Sequence, residues 1–387
     1  MRALPAPAVP LPVGQPAPDF AQALVSWQAR CGRHGLPWQG TRDPYRVWLS
    51  EIMLQQTQVA TVIPYFERFL ARFPELAALA SAPLEHVLER WAGLGYYARA
   101  RQAHACAKKL MTEHGGRFPQ TAAQLEQLPG IGPSTAAAIA AFCYAERVAI
   151  LDANVKRVLA RQHAIEGELK SPAVLAQLWE RARAALPDAG QMGTYTQAIM
   201  DLGATVCTRS RPLCGQCPVS PSCAALALGR VDDLPGRTPA PPRPERTAHL
   251  LLALHRRAVL VEERPPHGIW GGLLSLPQYD SATALRTGLR DLGIAAKPQA
   301  LAGRRHGFTH YTLAYTPQLV QLVGKRPAPA DRREAQTRRR WLALTQLESA
   351  ALPAPVRGLL RELRDGTLAP SVSSKKAGTA AKRVARK

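Results

Sequence analysis

Apolar residues recur at three- and four-residue intervals from about residue 20 to about residue 226, the spacing that lines one face of a helix. The stretches DFAQALVSWQARC, SEIMLQQTQVATVI, PLEHVLERWAGL, ARARQAHACAKKLMTEHG, TAAQLEQL, STAAAIAAFCYA, NVKRVLARQHA and SPAVLAQLWERARAAL each predict helix. Gly, Pro or Asp separates them where helices end. Beyond residue 247 the pattern changes. AHLLLALHRRAVLVEER predicts two apolar strands around a short basic turn, LLSLPQY another strand and TLAYTPQLVQLVG more strand, with helices at ATALRTGLRDLG and APVRGLLRELRDG. The expected organisation is a disordered Pro/Ala-rich segment at 1–18, an all-α domain at 19–226, a Pro-rich linker at 227–247, an α+β domain at 248–368 and a disordered basic tail at 369–387.

Composition narrows the partners. Fifty Lys and Arg against 28 Asp and Glu give a net charge of +22, which favours a polyanion over a neutral small molecule. The excess belongs to the folded body as well, because the basic tail accounts for only a minority of it. No apolar run approaches a membrane span, and the prolines near the start break the continuous core that a signal peptide needs. A soluble, intracellular protein is the expectation. Seven cysteines, an odd number, suit a reducing compartment with a metal site better than a disulfide framework.

Four of those cysteines, in CTRSRPLCGQCPVSPSC, form one cluster: Cys207, Cys214, Cys217 and Cys223, with six, two and five residues between them. Such spacing fits either a structural zinc or a [4Fe–4S] cluster. The flanking Arg209 and Arg211 suit a loop that faces phosphate. Cys31, Cys106 and Cys143 fall in helical patterns and are expected as small buried residues.

In LPGIGPSTAAAI, two glycines and a proline separate two helical stretches. A helix, a glycine turn and a second helix start offer the backbone N–H groups of Gly130 and Gly132 to a phosphate that glycine allows close. An ordinary αα-hairpin has the same pattern. Asp152 in ILDANVKRVLAR occupies a helix N-cap. Glu51 sits on a predicted helix with Gln55 one turn on and Gln56 beside it. It lies among Ile52, Met53 and Leu54 without a basic residue four positions later, so burial would raise its pKa and suit it to donate a proton.

Together LPWQ, VWLSEIMLQQTQVATVIPYFERF, WAGLGYYARAR, LPGIGPSTAAAI, ILDANVKRVLAR, TQAIMDLGATVC and the four-cysteine loop resemble, in order over residues 20–225, the adenine DNA glycosylase (MutY) family. The resemblance implies an N-terminal helix–hairpin–helix fold with a [4Fe–4S] cluster on the four cysteines. It implies Glu51 as the acid that protonates an extruded adenine and then activates water, and Asp152 as the carboxylate that stabilises the cationic sugar. Trp38, Asn154 and Gln197 are implied in the adenine pocket, and Gln56 and Tyr96 as residues entering the base stack, where core packing is the plain alternative for Tyr96. The related endonuclease III group carries a lysine where this chain has Ser134. A hydroxyl cannot form a Schiff base, so Ser134 implies a monofunctional enzyme that uses water.

RPPHGIWGGLLSLPQY and HGFTHYTL resemble the Nudix-like C-terminal domain of the same family. A Nudix hydrolase needs paired glutamates to hold Mg²⁺, yet only Asp280 and Asp291 lie between Gly271 and Ile294. The domain is therefore expected to bind rather than hydrolyse. By resemblance Phe308, Thr309 and His310 recognise 8-oxoguanine, with threonine where the family commonly has serine; for His310 a strand histidine is the alternative. The implied partner is duplex DNA holding adenine opposite 8-oxoguanine or guanine, bound by a monomer in a bacterial cytoplasm.

Overall fold

The computed structural model describes residues 19–236, 242–265, 268–308, 310–324 and 338–369. The expected disorder at 1–18 and nearly all of the basic tail lie outside them. The chain divides into two compact units, Met1–Val87 with Ala98–Ala240, and Leu88–Tyr97 with Pro241–Lys387.

Helices dominate up to residue 236: α1 (Phe20–Cys31), α2 (Pro44–Leu54), α3 (Val59–Arg72), α4 (Leu76–Ser81), α5 (Leu84–Trp91), α6 (Ala98–Glu113), α7 (Ala122–Leu125), α8 (Pro133–Tyr144), α9 (Ala153–Gln162), α10 (Pro172–Ala184), α11 (Met192–Thr205) and α12 (Ala224–Ala227). The core gathers around α8. Ala136, Ala137, Ala138, Ile139, Ala140 and Ala141 are all buried, so this helix is apolar on every side and neighbours approach it closely. One side of the core joins Leu24 and Trp27 of α1 to Leu159, Leu178, Ile199 and Leu202. Trp48, Phe66, Phe69 and Leu110 are also fully buried. At Gly203 a Cβ would stand 2.6 Å from Cβ of Asn154, so only glycine lets α11 lie against the first turn of α9.

Three helical expectations change. SEIMLQQTQVATVI is not continuous: α2 stops at Leu54 and α3 starts at Val59. TAAQLEQL contributes only one turn, Ala122–Leu125. Cys31 is exposed, unlike the buried Cys106 and Cys143, because the last turn of α1 from Ala29 onward projects beyond the core. Within the expected linker, Leu234 is 2% exposed and its carbonyl accepts from Arg161 Nε at 2.8 Å, so these residues pack on the helical unit.

The second unit holds an eight-stranded mixed sheet: β1 (Glu245–His255), β2 (Ala258–Glu263), β3 (Leu274–Ser275), β4 (Gln278–Tyr279), β5 (Gln299–Ala300), β6 (Arg304–Gly307), β7 (Thr312–Leu322) and β8 (Arg339–Ala343). The long strands β1 and β7 pair in parallel over their full length, from Glu245 opposite Thr312 to His255 opposite Leu322. Around Arg256 and Arg257 the chain reverses into antiparallel β2, which pairs with β8 and β3. LLSLPQY becomes two short strands, since Pro277 has no N–H to continue a ladder. Helix α13 (Ala282–Asp291) places Leu285 and Leu289 against Leu251, Tyr279 and Val320, and α14 (Ala354–Asp365) buries Val356, Leu359 and Leu360. No helix among the described residues is long and apolar enough to cross a membrane.

Candidate active site and DNA-binding elements

Glu51 lies one turn before the end of α2, on the wall of a cleft of about 850 Å³. Trp38, Gln197, Ser50, Phe142 and Arg33 line the same cleft. Trp38 is held there by an edge-on contact with Phe66, centroid to centroid 5.3 Å. Burial, and then the negative charge of Asp152, push the Glu51 carboxyl from 4.5 up to about 7. Near neutral pH a large share of it keeps its proton.

Asp152 is the N-cap of α9, with Oδ1 accepting from the Val155 N–H at 2.7 Å. Burial raises its pKa, while the backbone N–H groups of Val155 and Asn154 and the charges of Arg157 and Lys156 oppose that rise. The two carboxyls thus differ in their support. Burial raises both carboxyls, but the charge of Asp152 raises Glu51 further, whereas donors and cations partly offset the rise at Asp152. Neither Asp152, Asn154 nor Ser134 belongs to the cleft lining. Asn154 is fixed instead by Arg157, whose Nη2 donates to Asn154 Oδ1 at 2.8 Å and to the Gly203 carbonyl at 2.6 Å.

Sequence reasoning passed over the group that organises the cleft's other side. Asp201 is fully buried, and its Oδ1 accepts from Gln197 Nε2 at 2.8 Å and Arg33 Nε at 2.7 Å. Its Oδ2 accepts from the Arg33 N–H at 2.8 Å and Gln28 Nε2 at 3.2 Å. The i, i+4 pairing of Gln197 with Asp201 in TQAIMDLG was a usable signal. Nothing local marked Arg33, which is 168 residues away.

Gly130 has φ +77°, and a Cβ there would stand 2.7 Å from Cβ of Gln102, so the fold itself requires glycine. Gly132 is different: it caps α8 with an ordinary φ, and no atom lies within 4 Å of the Cβ it lacks. Pro133 takes the first helical position and Ser134 follows, half-buried. Gln55, in the turn after α2 rather than on the helix, reaches this hairpin through Nε2 to Thr135 Oγ1 at 3.3 Å. Gln56 and Tyr96 are both exposed and both left-handed, with φ +55° and +48°, a conformation that costs a side-chain-bearing residue on the order of 1 kcal/mol or more. Tyr96, 48% exposed, is not a core residue.

The four clustered cysteines line one small cavity with Arg161, Val158, Leu202 and Val219. Arg161 Nη1 donates to Cys207 Sγ at 3.4 Å, and Arg157 Nε to the Cys207 carbonyl at 2.8 Å. Among the described residues no three His, Cys, Asp or Glu converge on a single ion. Four thiols around one small space are a donor set that either a structural zinc or an iron–sulfur cluster would take. Arg209 and Arg211 are exposed on the same loop.

In the second unit Phe308 packs among aromatic rings, with centroids 5.4 Å from Trp270, 4.7 Å from His306 and 4.9 Å from Tyr311. Its N–H donates to the Tyr311 carbonyl at 2.8 Å. His310 is exposed and is not a strand residue. Thr309 lies outside the described residues. The contributions of Trp270 and Tyr311 were not anticipated from sequence.

Residues 49–184 match the model for the HhH-GPD superfamily of base excision DNA repair proteins, and 248–362 match the NUDIX domain. An adenine DNA glycosylase of Buchnera aphidicola is 32% identical over 347 residues, covering 89% of this chain and 97% of that protein. The chain belongs to the adenine DNA glycosylase family. The human adenine DNA glycosylase is 35% identical, with 88% of this chain and 73% of the human protein covered. Among solved structures, a thermostable thymine-DNA glycosylase superposes with a TM-score of 0.50 at 26% identity, over 54% of this chain and 95% of that one. As a member of this family the chain is a base-excision DNA glycosylase, a hydrolase of N-glycosyl bonds that acts on DNA. Its two parts are the helical HhH-GPD fold and a Nudix-like domain built on a sheet.

Proposed function

We propose that the enzyme removes adenine paired with 8-oxoguanine or guanine in duplex DNA, using water, and leaves an abasic site. The observation that carries the chemistry is the Glu51 carboxyl, raised to about 7 on the wall of a cleft that also holds Trp38 and Gln197. A carboxylic acid still protonated near neutral pH can donate its O–H to N7 of an extruded adenine. The electron pair of the C1′–N9 bond then leaves with the base, and positive charge builds on the sugar. Asp152, oriented by the N–H groups at the start of α9, stabilises that charge as a carboxylate, with Arg157 and Lys156 partly offsetting the cost of its burial. Water adds at C1′, and the Glu51 carboxylate takes its proton. Ser134 offers no amine, so the sugar is not captured covalently.

Gln197 and Trp38 hold the adenine, with Asn154 supporting the first turn of α9 beside Asp152. Gln55, Gln56 and Tyr96 engage the opened duplex, while Gly130 and Gly132 present N–H groups to its backbone. Cys207, Cys214, Cys217 and Cys223 hold a [4Fe–4S] cluster, which when bound ties the Arg209–Arg211 loop to α9 and α11 and makes no bond in the reaction. Phe308, Thr309 and His310 recognise the 8-oxoguanine. The enzyme works as a monomer on the DNA of a bacterial cytoplasm.

The test is excision from duplexes holding adenine opposite 8-oxoguanine, guanine or thymine, at fixed salt because the +22 charge makes affinity salt-dependent. Adenine should be released from the first two only. The double variant Phe308→Ala, His310→Ala should lose roughly 10- to 100-fold of the preference for 8-oxoguanine over guanine, the scale of one good base contact. Release opposite thymine at an equal rate would refute the mispair reading.

A further inference from the structure

The break between α2 and α3 has a cause 44 residues away. Arg99, on the first turn of α6, is 8% exposed and turns its guanidinium onto the end of α2. Nη1 donates to the carbonyls of Ile52 at 3.1 Å and Met53 at 2.7 Å, and also to that of Gln55; Nη2 donates to Thr57 Oγ1 at 3.1 Å. The last carbonyls of a helix lack intrahelical partners and carry partial negative charge, so a buried cation there satisfies them. The bonds to Gln55 and Thr57 flank Gln56, fixing the residues on either side of its left-handed backbone.

We infer that Arg99 is a positioning residue for base extrusion: by clamping both sides of Gln56 it holds that side chain ready to enter the stack. The inference rests on the reading of Gln56 as the inserted residue. Its burial keeps Arg99 from serving as a phosphate contact, and its bonds to Ile52, Met53 and Gln55 end on backbone carbonyls, which point substitutions elsewhere cannot remove. Thr135, which accepts from Gln55, ties the same turn to the hairpin from the other side. A clamp of this kind affects how often the duplex opens at the target, since a wedge displaced by about 1 Å can cost on the order of 100-fold in rate.

The experiment is a double-mutant cycle in the full-length protein, read by single-turnover excision of adenine opposite guanine. The variants are Arg99→Lys, Gln56→Ala and their combination, with Thr57→Val as a milder version that removes only one bond. Arg99→Lys and Gln56→Ala should each slow excision by about 10-fold or more, and the combination should be no slower than the worse single variant. Thr57→Val should cost less, and nothing further once Gln56 is alanine. Fluorescence of 2-aminopurine beside the target adenine should fall with the excision rate, while affinity for undamaged duplex and the pH profile stay unchanged. Losses that multiply in the combined variant overturn the inference, as does an altered pH profile, which would mean that Arg99 acts through Glu51. If Gln56→Ala alone has no effect, the reading of Gln56 as the wedge fails first.

Discussion

Replacing Glu51 by glutamine should stop catalysis and make the protein more stable in alkali. The sign follows from the direction of the shift. The folded state raises the carboxyl from 4.5 to about 7, so between those values it binds more protons than the unfolded chain does. Stability therefore falls as pH rises through that window, and the deficit is complete above pH 7. At about 1.4 kcal/mol per pH unit the deficit comes to about 3–4 kcal/mol, an upper value because a partly hydrated carboxylate relaxes. Glutamine has nearly the same shape and never ionises. In thermal unfolding Glu51→Gln should match the unchanged protein near pH 4 and exceed it at pH 8.5 by about 1–3 kcal/mol, or roughly 3–10 °C for a unit of this size. The unchanged enzyme should lose single-turnover excision above pH 7, as the proton to be donated disappears. Equal stability of the two proteins at pH 8.5 would show that Glu51 is not desolvated, and the assignment of the acid would fall with it.

Asp152→Asn should abolish excision by removing charge stabilisation while leaving duplex affinity within a few-fold, since the amide can still cap α9; retention of a near-normal single-turnover rate would overturn its role. Protein purified without oxygen should be yellow-brown and hold about four iron and four sulfide per chain, whereas stoichiometric zinc without iron would refute the cluster. Ser134→Lys should gain borohydride-trappable adducts on abasic DNA, because it supplies an amine at the start of α8; no adduct would mean that this position does not face the sugar.

What the sequence determined by itself is local. Asp152 before an amphipathic run is a helix cap, Pro133 after Gly132 is a helix start, and the four-cysteine spacing brings thiols around one small space, each requiring only near neighbours in the chain. The change from helical spacing to apolar strands likewise separates the helical from the sheet-containing half, because backbone periodicity is a property of the segment. Tertiary structure decided the rest. The Glu51 carboxyl is pushed up to about 7 first because the surrounding elements bury it and then because the fold brings the charge of Asp152 near. Gln197 is aimed by Asp201, which in turn is held by Arg33 from the far end of the unit. SEIMLQQTQVATVI has the composition of one helix, and it breaks after Leu54 where Arg99 takes the carbonyls at its end, an interaction that no window of the sequence contains. Cys31 keeps helical spacing yet is exposed, since spacing gives the direction of a side chain but not how far the core extends.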